Sequence, residues 1–77
     1  MRKTLREFKI GEKGTVIEIG GSVEMKRRMI DMGITKGAVI LMKKTAPLGD
    51  PLEIYVRGYH LALRKTEAEQ VLMEVLP

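Results

Sequence analysis

The chain contains no cysteine and no tryptophan, only one histidine and one serine, and no long run of apolar residues. Without cysteine, disulfides and thiolate zinc sites are both excluded, so a chain of 77 residues must hold its fold by packing alone. A domain of this size buries only about 60% of the surface its unfolded form exposes, which leaves room for one modest core. Residues 1–77 are therefore expected to form a single domain, with its core between about 5 and 76. Nucleophilic catalysis needs a hydroxyl or thiol beside a base and an orienting group. The lone Ser22 and lone His60 sit in contexts that suggest a helix cap and a turn, and no enzymatic activity is expected. Gly20-Gly21-Ser22 lacks the lysine and the spacing of a phosphate-binding loop. Nothing approaches the roughly 20 apolar residues of a membrane span, and Met1 to Ile10 mixes charge with apolar residues where a secretion signal has an apolar stretch. The expectation is a soluble, cytoplasmic domain with no direct membrane insertion.

The charge balance is basic, with a net charge of +4 and an isoelectric point near 9.6. The cations are dispersed as Arg2/Lys3/Arg6/Lys9, Lys26/Arg27/Arg28, Lys43/Lys44 and Arg64/Lys65, with acidic residues between most groups. Such mixing is the pattern of a solvated surface more than of a nucleic-acid groove. Single-stranded nucleic acid is bound largely by stacking on aromatic side chains, and this chain has only Phe8, Tyr55 and Tyr59.

Glycines punctuate short elements. Leu5 to Ile10 leads into a turn at Gly11 to Gly14, and the β-branched run Thr15 to Ile19 predicts a strand. Ser22 as cap, Glu24 in the first turn and Gly33 at the end predict a helix over Val23 to Met32. Met25, Met29 and Met32 form one stripe on it, with Val23 and Ile30 on another side. Ala38 to Thr45 and Leu52 to Arg57 predict two further strands, the second placing Ile54 and Val56 opposite Glu53, Tyr55 and Arg57. The prolines and glycine of Ala46 to Pro51 specify an ordered turn between them, with Leu48 exposed at its tip. Tyr59 to Arg64 predicts a fourth strand. Thr66 to Glu69 matches a T-x-x-E capping box and predicts a helical turn before a last strand, Val71 to Leu76.

Five short strands cannot bury their apolar faces as a flat sheet. The predicted fold is mainly β, a small, bent five-stranded SH3-like barrel with one helix after the first strand and a helical turn before the last. An open meander packed on the helix is the alternative. Metal-ligand spacing is lacking, and His60 with Glu53 or Asp50 would make at most a weak transition-metal site for ferrous iron or zinc, with no cofactor required.

Gly33-Ile34-Thr35-Lys36-Gly37 after a basic helix, Ala46-Pro47-Leu48-Gly49-Asp50-Pro51, and Leu61-Ala62-Leu63-Arg64 together resemble the ferrous-iron transport protein A (FeoA) family. The resemblance runs from about Leu5 to Val75, and the same fold closes iron-dependent repressors at their C-terminus. It implies a cytosolic accessory of ferrous-iron uptake that docks on the membrane ferrous-iron permease, with its cytoplasmic GTPase domain, and modulates transport. On that reading Arg27 and Arg28 would meet an acidic surface while Met25, Met29 and Leu48 supply an apolar anchor. The competing functions are a basic barrel that binds nucleic acid, which the few aromatics disfavour, and a metal-sensing regulatory module. Exposed methionines and an unpaired barrel edge would also support a homo-oligomer.

Overall fold

The computed structural model describes residues 1–77. The elements are β1 (Arg2–Thr4), a 3-10 turn (Leu5–Glu7), β2 (Lys13–Ile19), α1 (Val23–Asp31), β3 (Val39–Thr45), β4 (Leu52–Val56), β5 (Tyr59–Leu63), α2 (Lys65–Ala68) and β6 (Val71–Val75). All strands pair antiparallel in one sheet of order β1-β6-β2-β3-β4-β5. Register shifts between Val16 and Glu18, and between Met42 and Lys44, mark two bulges, a device that sharpens twist and bends a sheet. The outcome is the predicted bent SH3-like fold, a nearly closed barrel with six strands rather than five.

The additional strand is β1. Its residues Arg2 and Lys3 carry none of the apolar alternation that signals a strand, and its pairing with β6 is reinforced by charge. The Met1 ammonium donates to Glu74 Oε2 at 2.6 Å, and Arg2 Nε donates to Glu74 Oε1 at 3.1 Å. Lys3 Nζ reaches Glu12 Oε1 at 2.7 Å and lies 5.4 Å from the centre of the Phe8 ring.

β2 begins two residues before the predicted strand, because Gly14 belongs to the ladder and not to the preceding turn. A Cβ at Gly14 would lie 2.5 Å from the Glu74 carbonyl oxygen and 2.8 Å from the Phe8 ring. Only glycine lets β6 and Phe8 approach this closely. β4 alternates as expected, with Leu52, Ile54 and Val56 buried. Arg57 lies outside it, in a two-residue hairpin turn where Arg57 (φ 50°) and Gly58 (φ 84°) both take left-handed conformations. The core gathers Leu5, Phe8 and Val16 with Ile40, Met42, Ile54, Leu63, Val71 and Met73, all buried between the bent sheet and the two helices.

Three carboxylates at the β1 end of the molecule are held below the ordinary value of 4.5. Glu7 accepts from the backbone N–H and hydroxyl of Thr4, Glu12 from Lys3 and the Lys9 N–H, and Glu74 from the N-terminus and Arg2. A folded-state pKa below the unfolded one means that the contribution is complete above about pH 4.5 and is lost as pH falls through the folded values. Urea midpoints are therefore expected to stay level from neutral pH down to about 5 and then to fall, with a shallower fall in Glu74→Gln. An identical acid profile for that variant would show that Glu74 carries none of it.

Candidate docking surface

Helix α1 starts where Ser22 Oγ accepts the Met25 N–H at 3.1 Å, and it ends one residue earlier than expected, with Met32 as its C-cap and Gly33 at φ 90°. Met29 is its only buried residue and is fully enclosed, so it is a core side chain that seats the helix rather than a surface contact. Met25 and Met32, on the same stripe, are half-buried against the core. The opposite side is open, with Val23 72% and Ile30 54% exposed.

The C-terminal end of α1 is tied to the β4–β5 hairpin. Arg57 Nε donates to the Gly33 carbonyl at 3.0 Å and Nη2 to Thr35 Oγ1 at 2.6 Å. Ile34, fully buried, donates its N–H to the Met29 carbonyl at 2.9 Å. Between α1 and the end of β2 lies a groove of about 330 Å³ lined by Glu18, Ile19, Lys26, Ile30, Thr35 and Lys36.

α2 is capped differently from the expected box. Its cap position is Arg64, whose N–H donates to Glu67 Oε1 at 2.8 Å, while Thr66 and Glu69 lie within and after the helix. The second oxygen of Glu67 pairs with Arg28 Nη1 at 3.0 Å; the Glu67 side chain is 5% exposed and that of Arg28 61%. Sequence reading passed over Glu67, although its place three residues after Arg64 is the capping position once the cap residue is known. The loop Ala46 to Pro51 is held at the start of the same helix. The Lys65 N–H donates to Asp50 Oδ1 at 3.0 Å, the Ala46 N–H bonds the Pro51 carbonyl at 3.0 Å, and the Gly49 N–H bonds the Ala46 carbonyl at 2.7 Å. Leu48 projects from the loop at 91% exposed.

Met25 and Arg28 thus come together, with Ser22, Glu24 and Glu67, around one depression of about 250 Å³. Arg27 is exposed on α1, Met29 lies beneath it, and Leu48 stands on the loop that α2 links to the helix. The metal candidates are not gathered. Asp50 is engaged by the Lys65 N–H, Glu53 pairs with Lys44 at 3.7 Å, and His60 lies on β5, not in a turn, with its ring 4.9 Å from that of Tyr55. No group of three or more His, Cys, Asp or Glu side chains is placed to hold a metal ion. No helix is long and apolar enough to cross a membrane. Of the aromatics, Phe8 is buried while Tyr55 and Tyr59 are exposed.

Six short antiparallel strands bent around one core, with a helix seated on it through a methionine stripe, define a small SH3-like domain. A family model described as the FeoA domain matches residues 3–75, and the chain belongs to that family. A FeoA-like protein from Clostridium acetobutylicum is 42% identical and superposes with a TM-score of 0.91 over 99% of this chain and 88% of its own. The FeoA of Stenotrophomonas maltophilia, solved in complex with zinc and described as a prokaryotic SH3 domain protein, is 28% identical, with a TM-score of 0.80 over 94% and 89%. A manganese-dependent transcriptional repressor in complex with manganese shares the fold alone, at 18% identity and a TM-score of 0.91 over 97% of this chain and 37% of that one. In Porphyromonas gingivalis, an Fe(2+) transport protein A/Fe(2+) transporter FeoB fusion protein is 26% identical over 72 residues; these are 94% of this chain and 8% of that relative's length.

The Arg28–Glu67 pair predicts an asymmetric mutational pattern. Arg28→Ala leaves a buried carboxylate without its counter-charge, which should cost about 1–3 kcal/mol in urea unfolding. Adding Glu67→Gln removes that charge and keeps an acceptor for the Arg64 N–H, so the double variant should regain part of the loss. A further loss in the double variant would mean that the pair is energetically idle.

Proposed function

We propose that this domain is a cytosolic accessory of ferrous-iron uptake that docks on the membrane ferrous-iron permease, on the side of its GTPase domain, and modulates transport. The observation that carries the reading is the Porphyromonas gingivalis fusion, in which a segment similar to almost this whole chain is joined to a ferrous-iron transporter. Covalent linkage holds two modules at high effective concentration without any new contact.

The surface that suits this role joins α1 to the proline loop. Leu48 is the apolar anchor, with Met25 at the rim of the Arg28 depression and Arg27 as a free cation for an acidic partner. Met29 contributes from below by holding α1 in place, and Arg28 divides its guanidinium between Glu67 and solvent. Such docking is apolar and electrostatic and calls on no metal; any binding at His60 or Glu53 stays weak and outside it. The domain has no catalytic role of its own, since Ser22 serves as the α1 cap and His60 rests against Tyr55 on the outer face of the sheet.

Leu48→Asp is the sharpest variant, because a side chain 91% exposed can change polarity without disturbing the core. Its affinity for immobilised, detergent-solubilised permease should fall by roughly tenfold or more, as expected of an interface anchor, at an unchanged melting temperature. Wild-type-like binding by Leu48→Asp would remove the loop from the interface. Failure of the unaltered domain to bind would remove the reading itself.

A further inference from the structure

The two edges of the sheet are treated differently. β1, at one end, is three residues long, and its Arg2 and Lys3 are fixed in ion pairs with Glu74 and Glu12. A short, charged strand is a poor template for further pairing. β5, at the other end, is five residues long, Tyr59-His60-Leu61-Ala62-Leu63, with no lysine, arginine, carboxylate or proline. Its register with β4 runs without a shift from Val56↔Tyr59 to Leu52↔Leu63, so no bulge turns the edge away. Nothing pairs with its outer side.

The hairpin fixes which backbone groups face outward. A two-residue turn at Arg57-Gly58 makes Val56 and Tyr59 the closing hydrogen-bonded pair, and alternation along the ladder directs Tyr59, Leu61 and Leu63 toward β4. The N–H and C=O groups of His60 and Ala62 therefore point away from the sheet.

We propose that β5 pairs antiparallel with β5 of a second copy of this chain, about a two-fold axis through Leu61. In this register His60 of each copy faces Ala62 of the other, and each such pair exchanges two backbone hydrogen bonds, which satisfies the four outward donors and four outward acceptors in the two copies. Leu61, half-buried in one domain, meets its own counterpart at the axis, and Tyr59, 69% exposed, comes opposite Leu63. Within the five paired residues no like charges are brought face to face. This self-complementarity is what selects a second copy over an unrelated strand: one uncharged five-residue segment supplies both halves of an isologous contact. The two six-stranded sheets become one continuous sheet of twice that number, with β1 closing both outer ends. Each dimer carries two Leu48 loops on a single frame.

Five paired residues bury less than the roughly 1,200–2,000 Å² of a standard interface, so the association is weak, with a dissociation constant on the order of 10 µM to 1 mM. Sedimentation equilibrium of the whole chain across that range should show the mass rising from 8.7 kDa toward twice that value. Hydrogen exchange at the His60 and Ala62 amides should slow as the concentration rises, while exchange on β1 stays constant. Ala62→Pro deletes an outward N–H without touching the β4 ladder, a substitution that edge strands accept, and should keep the chain at the monomer mass throughout. If that variant does not fold, the concentration dependence of the His60 and Ala62 amides in the unaltered chain decides alone. A constant mass of 8.7 kDa, or dimers in which those two amides are unaffected, overturns the proposal.

Discussion

Two carboxylates around the start of a four-residue helix determine which surface this domain presents. Glu67 is almost fully buried, caps α2 through the Arg64 N–H and reaches Arg28 on α1; Asp50 leaves the proline loop to accept the Lys65 N–H. α2 is too short to be stable alone, since helices of this length are marginal without tertiary support. It acts instead as a bracket, joining two segments that are separated in sequence by β3. The bracket adds to the apolar anchorage of α1, which comes from one stripe of methionines. Met29 alone is fully enclosed, with Met25 and Met32 half-buried beside it, and polar restraint is added by Arg28 at one side and by Arg57, which grips Gly33 and Thr35, at the other.

The sheet beneath is built to leave that surface uncovered. Both bulges sharpen its bend, and Gly14 lets β6 and Phe8 close on β2, so the core is completed with fifteen buried apolar residues and little help from the outer face of α1. Val23 and Ile30 are consequently free of packing duty. They lie on the side of the nine-residue helix opposite Met25, and Ile30 also lines the groove shared with Lys26 and Lys36. Membership of the FeoA family and the transporter fusion in a relative support the accessory reading.

Much of this fold was legible in the residues. The alternation of β4, the Ser22 and Gly33 boundaries of α1 and the exposed Leu48 all express local rules with a period or a cap residue behind them. β1 was not legible, because its pairing rests on backbone bonds and on salt bridges to Glu74 and Glu12, whose nearness only the folded chain creates. The Thr66–Glu69 box misled, because the helix starts two residues earlier and Glu67, not Glu69, accepts the cap N–H, from Arg64. Helical spacing put Met25 and Met29 on one stripe, yet it specifies direction and not depth, and only the sheet decides that Met29 is enclosed while Met25 reaches the surface. Arg28 illustrates the same limit. Its charge was plain, whereas its engagement with a buried carboxylate 39 positions away was not.

The central claim is that α1 and the proline loop, held together by α2, meet the ferrous-iron permease as one surface. The most direct measurement is a titration of the isotope-labelled domain with detergent-solubilised permease, following each backbone amide by NMR. Resonances of Met25, Arg27, Leu48 and Gly49 should broaden or shift together at substoichiometric permease, while those of β1 and β6 stay in place. Perturbations confined to β1 and β6, or an unchanged spectrum, would contradict the account.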